Sequence, residues 1–346
     1  MPANSVTITD NITGVLSDVL RRQKPSQVAV LVDENIREHC LPLIQEVLST
    51  DCLIIEIKSG EVYKNLDTCA YIWQQLTEEH FDRKGLLINL GGGVIGDMGG
   101  FCAATYKRGM SFVNIPTTLL AQVDASVGGK LGVDFNGFKN HIGLFQEPQQ
   151  VLIDANFLKT LPEQELRSGF AEVIKHALIQ DGTYWNKLRG VALANQPWVE
   201  HIRHSVQVKS WVVERDFREG GLRKILNFGH TVGHAVESHF LESATPLLHG
   251  EAIAIGMIAE AQLSVKYASL SLEEAEEIED FILAIFGKVD IPLESLEAIT
   301  HLTKQDKKNQ QGAILCTLLD KIGKAHFDVA VTESAIREAL EYYRGL

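Results

Sequence analysis

His230 and His234 stand four residues apart in Asn227-Phe228-Gly229-His230-Thr231-Val232-Gly233-His234, and His249-Gly250-Glu251 follows. On a helix, an i, i+4 pair shares one face and can close on a single cation. A third imidazole beside a glycine can approach from the next element. Upstream, Glu172 and Lys175 put a carboxylate and an amine on one face of another expected helix. Neutral imidazoles and a carboxylate around an open coordination position are how a catalytic zinc is held. The simplest reading takes His230 and His234 as joint ligands. Lys175 lies in an apolar stretch, residues 170–179. Burying it unpaired is costly, so it is expected to meet a carboxylate or a phosphate.

A second chemistry is written in Gly91-Gly92-Gly93-Val94-Ile95-Gly96-Asp97, which follows a predicted strand and opens a predicted helix. Glycines there let backbone N–H groups approach a phosphate, and the helix N-terminus favours its charge. The stretch fits the dinucleotide fingerprint G-x-G-x-x-G only loosely, and a tight structural turn is the alternative. Its place in a βα unit favours pyrophosphate. Arg108, Thr117, Thr118, Asp124, Ser126, Lys130, Lys139 and Asn140 then crowd into a short span, as in a loop system for a phosphate or polyol. Lys209, Arg223 and Asn227 form another polar group around the proposed metal. Asp306-Lys307-Lys308-Asn309 reads as a loop able to bring a cation over a cleft.

The elements that must position these groups change character midway. Residues 27–33, 52–57, 85–90, 112–115 and 151–154 are near-continuous apolar runs, as expected of strands covered on both faces of a parallel sheet. Residues 34–49 and 65–80 are the expected crossover helices. From Pro162 onward helical periodicity dominates, over 163–180, 197–216, 224–241, 250–268 and 271–287. Residues 313–319 and 324–331 suggest a terminal hairpin. The expectation is a doubly wound, Rossmann-like α/β domain over 1–161 and a mostly α-helical domain over 162–346, with a cleft between them.

Composition narrows the class. Apolar residues make up 45% and charged residues 22% of 346, ordinary for a soluble globular protein. A formal net charge of -13 argues against a general nucleic-acid or anionic-membrane binder. The five cysteines (Cys40, Cys52, Cys69, Cys102, Cys316) show no CxxC spacing and read as reduced, buried thiols. No secretory leader or membrane span is evident at the start or along the chain, which gives a cytoplasmic enzyme as the expectation.

Nine motifs in order carry a specific resemblance: GGGVIGD, KRG, PTTLLAQVDASVGGK, KNHIG, FLKTLP, SGFAEVIKHALI, LNFGHTVGHAVE, HGEA and DKK. From about Ser59 to Leu319 the chain resembles the 3-dehydroquinate synthases of the shikimate pathway, which serves chorismate and aromatic amino acid biosynthesis. The resemblance implies an NAD- and zinc-dependent lyase, with cobalt as an alternative metal. Its substrate would be the sugar phosphate 3-deoxy-D-arabino-heptulosonate 7-phosphate. Transient oxidation, β-elimination of phosphate, re-reduction and an intramolecular aldol closure would give 3-dehydroquinate.

Carried over by residue, the resemblance makes Glu172, His230 and His249 the metal ligands, and so corrects the simple His230–His234 pair. It gives His234, Asp124, Lys130, Lys175 and Asn140 to catalysis. Arg108, Lys209, Arg223, Asn227 and Lys307 go to the substrate. Cofactor contacts map to Ser59, Gly60, Glu61, Val62, Tyr63 and Lys64; to Gly93, Val94, Ile95, Gly96 and Asp97; and to Thr117, Thr118, Lys130 and Lys139. The last of them are Phe157, Leu158, Lys159 and Thr160. Arg108 resembles an arginine supplied to a neighbouring subunit's site, which implies a homodimer. Ser59 stands where the family more often has Asp. The competing expectations are a sister sugar-phosphate cyclase, a metal-dependent polyol dehydrogenase that releases NADH, and a silent scaffold that kept the fold.

Overall fold

The structure, a computed structural model, describes residues 6–136, 138–241, 243–304 and 313–346. The chain divides into two compact units, Met1–Leu166 and Arg167–Leu346.

The first unit runs β1 (Val6–Thr9), α1 (Ile12–Gln23), β2 (Val28–Asp33), α2 (Glu34–His39), β3 (Leu53–Ile57), α3 (Leu66–Glu78), β4 (Leu86–Gly91), α4 (Gly93–Thr105) and β5 (Ser111–Pro116). It continues through β6 (Lys130–Phe135), β7 (Phe138–Phe145) and β8 (Gln150–Asp154). Six strands form a parallel sheet in the order β1-β8-β5-β4-β2-β3. Alternation along the strands feeds two cores. Ala29, Leu31 and Leu87 face one with Ile95, Met98 and Cys102, whereas Val30, Val32, Leu86 and Ile88 face the other with Leu16 and Ile44. Both faces are therefore covered, as the near-continuous apolar runs required.

The helices after β2 and β4 leave on opposite faces. Partly buried Ile36 of α2 joins the core with Val30, and Met98 of α4 joins the core with Leu31. The boundary between β2 and β4 is thus the topological switch point, and the glycine loop lies at the C-terminal end of β4. Ligands bind at that position in doubly wound sheets.

Three expectations are corrected here. Residues 34–49 do not form one helix: α2 stops at His39 and 3-10 turns follow at Leu41–Leu43 and Gln45–Val47. Pro42 has no N–H to give and its ring opposes a continuing α-helix. The span 116–143, read as part of a loop system, contains the antiparallel β6–β7 hairpin, with Phe135 opposite Phe138. Residues 224–241 are not helical throughout. Leu222–Asn227 is a 3-10 turn, and the helix begins only at His230, after Gly229 at φ +78°. A left-handed residue at that point interrupts the hydrogen-bond ladder and favours glycine.

The second unit carries α5 (Glu163–Gln180) from Arg167 on, α6 (Gly182–Arg189), α7 (Trp198–Arg215), α8 (His230–Phe240), α9 (His249–Tyr267), α10 (Leu272–Phe286) and α11 (Ser295–Thr303). The β9–β10 hairpin (Ile314–Lys321, Lys324–Val331) and α12 (Glu333–Gly345) complete it. α9 is apolar nearly all round and buried from Ala252 to Ala261, as a central helix must be. α8, α10, α12 and β9 pack around it. Among the described residues no helix is long and apolar enough to cross a membrane.

Candidate metal and dinucleotide sites

In the second unit, the local sequence explains how three distant ligand candidates meet. His249 is the first residue of α9, and Glu251 bonds back to the N–H of Leu248 at 2.9 Å, fixing the helix start. Gly250 follows because there is no room for a side chain: a Cβ there would lie 1.9 Å from the Ser168 carbonyl oxygen. Its N–H donates instead to Ser168 Oγ at 2.9 Å. That approach seats His249 beside α5 one turn before Glu172.

Glu172, His230 and His249 bring donor atoms within 4.8 Å of one another. Glu172 Oε1 lies 3.5 Å from His230 Nε2 and 3.6 Å from His249 Nε2. Ligands 2.0–2.1 Å from a tetrahedral zinc stand about 3.4 Å apart, so these separations suit a metal. The two carboxylate oxygens divide their roles, because Oε2 pairs with the ammonium of Lys175. Lys175 thereby finds the partner its burial demanded, on its own helix.

Each imidazole is anchored at its other nitrogen. His230 Nδ1 lies 3.0 Å from the Phe228 carbonyl, and His249 Nδ1 lies 3.4 Å from Glu237 Oε2. With Nδ1–H donating to the carbonyl or carboxylate, each Nε2 would offer its lone pair to a metal in the shared space. Burial, then the charge of Lys175, hold His230 well below the ordinary histidine range. Burial also acts to lower His249, but Glu237 and Glu172 outweigh it and push that ring up to about 10. The donor set and its surplus of carboxylate charge fit a divalent cation.

His234 is exposed on α8, its ring centroid 5.0 Å from that of His230 and 5.9 Å from that of His249. It flanks the Glu172 group and joins His249 and Glu237 in a second set of neighbouring donors. Lys209 and Arg223 are buried, at 6% and 2% exposure, and the Arg223 guanidinium donates to the Phe217 carbonyl at 2.6 Å. Asp216 grips the loop leading to Arg223, accepting from the N–H groups of Gly220, Gly221 and Arg223 at 2.7–2.9 Å. The Asn227 amide donates to Glu219 Oε1 at 3.1 Å. Lys307 lies outside the described residues.

In the first unit, Gly92, Gly93 and Gly96 border a small hollow with Asn89, Ala125 and Ser126. A Cβ on Gly96 would meet nothing within 4 Å, so the N-terminal turn of α4 is open there. Ser126 Oγ, buried, has no hydrogen-bond partner among the described residues. An open helix N-terminus beside an orphaned hydroxyl fits a phosphate-bearing cofactor. Lys64 is buried and donates to Asp97 Oδ2 at 2.7 Å, with Glu61 at 4.0 Å. Burial disfavours its charge, yet Asp97 and Glu61 outweigh that and raise its pKa. Gly60 has φ +109°, Val62 is 71% exposed and Tyr63 half-buried.

Several mapped residues take a narrower part than expected. The Phe157 ring and the Ile95 side chain sit in the two cores, and Leu158 is buried, so Phe157 and Ile95 have only main chain to offer a ligand. Lys159 and Thr160 are exposed on the same turn. Ser59 is engaged by Glu34, through its N–H at 2.9 Å and its hydroxyl at 2.8 Å. Thr117 is buried, its N–H on the Gly91 carbonyl at 3.0 Å, and Thr118 Oγ1 accepts from Ala121 at 3.2 Å. Asp124 lies in a π-helical turn, Ala121–Ala125. Lys130 opens β6, exposed, and Lys139 and Asn140 lie on β7. The N–H of Asn140 bonds to Asp134 at 2.7 Å. Arg108 is exposed at φ +67°, at the far end of α4 from the glycine loop. A helix of 13 residues separates the two by about 20 Å.

Glu237, Glu260 and Glu219 were not singled out from sequence. Glu237 had a signal, since it lies at i+3 from His234 and i+7 from His230 on one face of α8. Glu260 had none: its partners Gly229 and Val232 are a whole helix away.

A doubly wound sheet with its glycine loop at the switch point, followed by a mostly helical unit, is the fold of synthases solved with NAD+ and a divalent metal. A 2-epi-5-epi-valiolone synthase from Streptomyces hygroscopicus, solved with NAD+ and Zn2+ bound, superposes at TM-score 0.88 and 26% identity, over 100% of this chain and 98% of that one. A 2-deoxy-scyllo-inosose synthase complexed with carbaglucose-6-phosphate, NAD+ and Co2+ shares the fold at TM-score 0.85 and 23% identity, over 97% and 96%. Within that class, the chain belongs to the 3-dehydroquinate synthase family. Residues 54–168 match the 3-dehydroquinate synthase N-terminal model and residues 169–309 the C-terminal model. It is 39% identical to the 3-dehydroquinate synthase of Parabacteroides distasonis over 99% of both chains. It is 42% identical to that of Prochlorococcus marinus over 92% of this chain and 88% of the relative.

Proposed function

We propose that this chain is a carbon–oxygen lyase that converts 3-deoxy-D-arabino-heptulosonate 7-phosphate to 3-dehydroquinate and phosphate. It uses NAD catalytically and a divalent metal, zinc or cobalt, held by Glu172, His230 and His249. The observation that carries the reading is Glu172 Oε1 facing both Nε2 atoms while Oε2 keeps Lys175. Family membership over nearly the whole chain supplies the substrate.

When bound, NAD would accept and return the hydride and the cation would polarise the hydroxyl being oxidised. The chain's own residues do the rest. Lys175, Lys209 and Arg223 supply positive charge for the substrate's carboxylate and phosphate. His234, exposed and next to the ligand group, exchanges protons with substrate, with Asp124, Lys130 and Asn140 as further substrate-facing groups. Gly93 to Asp97, together with residues 59–64, 117–118, 130, 139 and 157–160, hold the dinucleotide. Arg108, remote from its own glycine loop, serves a second subunit in a homodimer. Asn227 and Lys307 complete the substrate contacts.

A sister cyclase is the second reading, favoured by the TM-score of 0.88 to a valiolone synthase. The test is phosphate release from the heptulosonate phosphate by metal-loaded protein with trace NAD, absorbance being followed for NADH. Phosphate matching cyclic product, without accumulated NADH, is the expected result. Activity confined to another sugar phosphate would make it a sister cyclase, and accumulating NADH a dehydrogenase.

A further inference from the structure

We propose that His234 and Glu237 form a second, weaker divalent-cation site, and that filling it stops turnover by removing His234 from the substrate. The inference rests on the metal assignment above. Donor atoms of His234, Glu237 and His249 lie within 4.8 Å of one another, a group distinct from the one around Glu172. His234 and Glu237 are one helical turn apart on α8, at i, i+3 spacing. His234 is exposed, so an ion can arrive from solution, whereas the Glu237 carboxylate is buried at 6% exposure.

The two groups share His249, and that ring cannot serve both. Its Nε2 faces Glu172 and its Nδ1 faces Glu237. A neutral imidazole has one lone pair, so with Nε2 on the first ion, Nδ1 carries the proton and donates to Glu237. The second ion therefore draws only His234 and Glu237 from the protein, and water completes its shell. It binds more weakly than the first, which has three protein ligands and supported rings, by on the order of a hundredfold. Binding there costs turnover twice: a ring nitrogen of His234 goes to the ion instead of the substrate, and Glu237 is drawn away from the His249 N–H.

Metal-free protein is titrated with zinc, bound metal being read by equilibrium dialysis with elemental analysis and turnover measured on the same samples. The expected result is one tight equivalent that restores turnover and a second, weaker one whose filling abolishes it. His234→Asn and Glu237→Gln keep the first and lose the second, while Glu172→Gln loses the first and keeps the second. Saturation at one equivalent, with turnover undiminished in excess zinc, overturns the inference and leaves the metal assignment standing. A second equivalent that survives in both α8 variants also overturns it, marking binding elsewhere on the surface. Folded wild-type protein that takes up no tight equivalent overturns the metal assignment and this inference together.

Discussion

The carboxylate of Glu260 on α9 accepts from the backbone N–H of Gly229 at 2.7 Å, and its second oxygen accepts from Val232 at 3.0 Å. Glu260 is fully buried and caps the first turn of α8, whose first residue is His230. Helix starts leave N–H groups without intrahelical partners, and a negative charge there is favoured. Glu260→Ala orphans both donors in a buried place. Each orphan costs ~1–3 kcal/mol, offset in part by no longer burying a charge, so a loss of about 2–4 kcal/mol is expected. Urea unfolding with and without zinc checks this, and a stability change under ~1 kcal/mol would contradict it.

Glu172→Gln and His249→Ala are expected to lose tight zinc, whereas His234→Ala keeps it and loses turnover. Glu237→Gln keeps zinc at an affinity about 10–100-fold lower, because the hydrogen bond that orients the His249 ring weakens. Chelator competition on purified variants reads all four. Stoichiometric zinc loss in His234→Ala would restore the simple i, i+4 pair as the metal site.

Two glycines three residues apart on α4 separate binding from stability. A Cβ on Gly96 meets nothing within 4 Å, so Gly96→Ala is expected to leave the melting temperature unchanged or slightly raised. It should weaken NAD binding by about tenfold, or roughly 1.4 kcal/mol, because the methyl group enters the open space at the helix start. A Cβ on Gly99 would lie 2.0 Å from Asn89 Oδ1, so Gly99→Ala is expected to destabilise the first unit. Thermal melts and NAD titration of both variants distinguish the effects, and unaltered NAD affinity in Gly96→Ala would argue against the assigned dinucleotide position.

Stability should fall in mild acid through His201. Buried between the Tyr184 hydroxyl at 2.7 Å and Gln196 at 2.6 Å, its ring is pushed down to about 4, chiefly by burial. Between pH 6.5 and 4 the unfolded chain takes up a proton that the folded chain refuses. Stability is therefore full above 6.5 and falls as pH drops toward 4, by on the order of 3 kcal/mol from this group. Urea midpoints at pH 7.5, 6, 5 and 4.5 measure the slope. His201→Gln should flatten it, and an unchanged slope in that variant would remove His201 as the cause.

Local features were legible in the residues alone. Near-continuous apolar runs marked the buried strands β2, β4 and β8, because a strand covered on both faces has no polar side to show. The glycines of 91–96 announced a backbone approach site, and the apolar neighbours of Lys175 required that its charge be paired. Even there, locality set the limit. The helix assigned to 224–241 hid the left-handed Gly229, and the residues between β5 and β8 read as loops because β6 buries only a short run around Gly132 and β7 is largely exposed.

The tertiary structure decided how these pieces combine. Spacing alone made His230 and His234 a pair, since four residues on a helix face is the only geometry a local pattern can express. The group around Glu172 instead draws on α5, α8 and α9, and is set by the contact of Gly250 with Ser168. Glu237 and Glu260 gained their roles in the same way, through helix–helix contacts that no periodicity encodes. Side-chain types supply the chemistry available to the chain. Which of them share a few ångströms depends on burying the apolar faces of helices far apart in sequence.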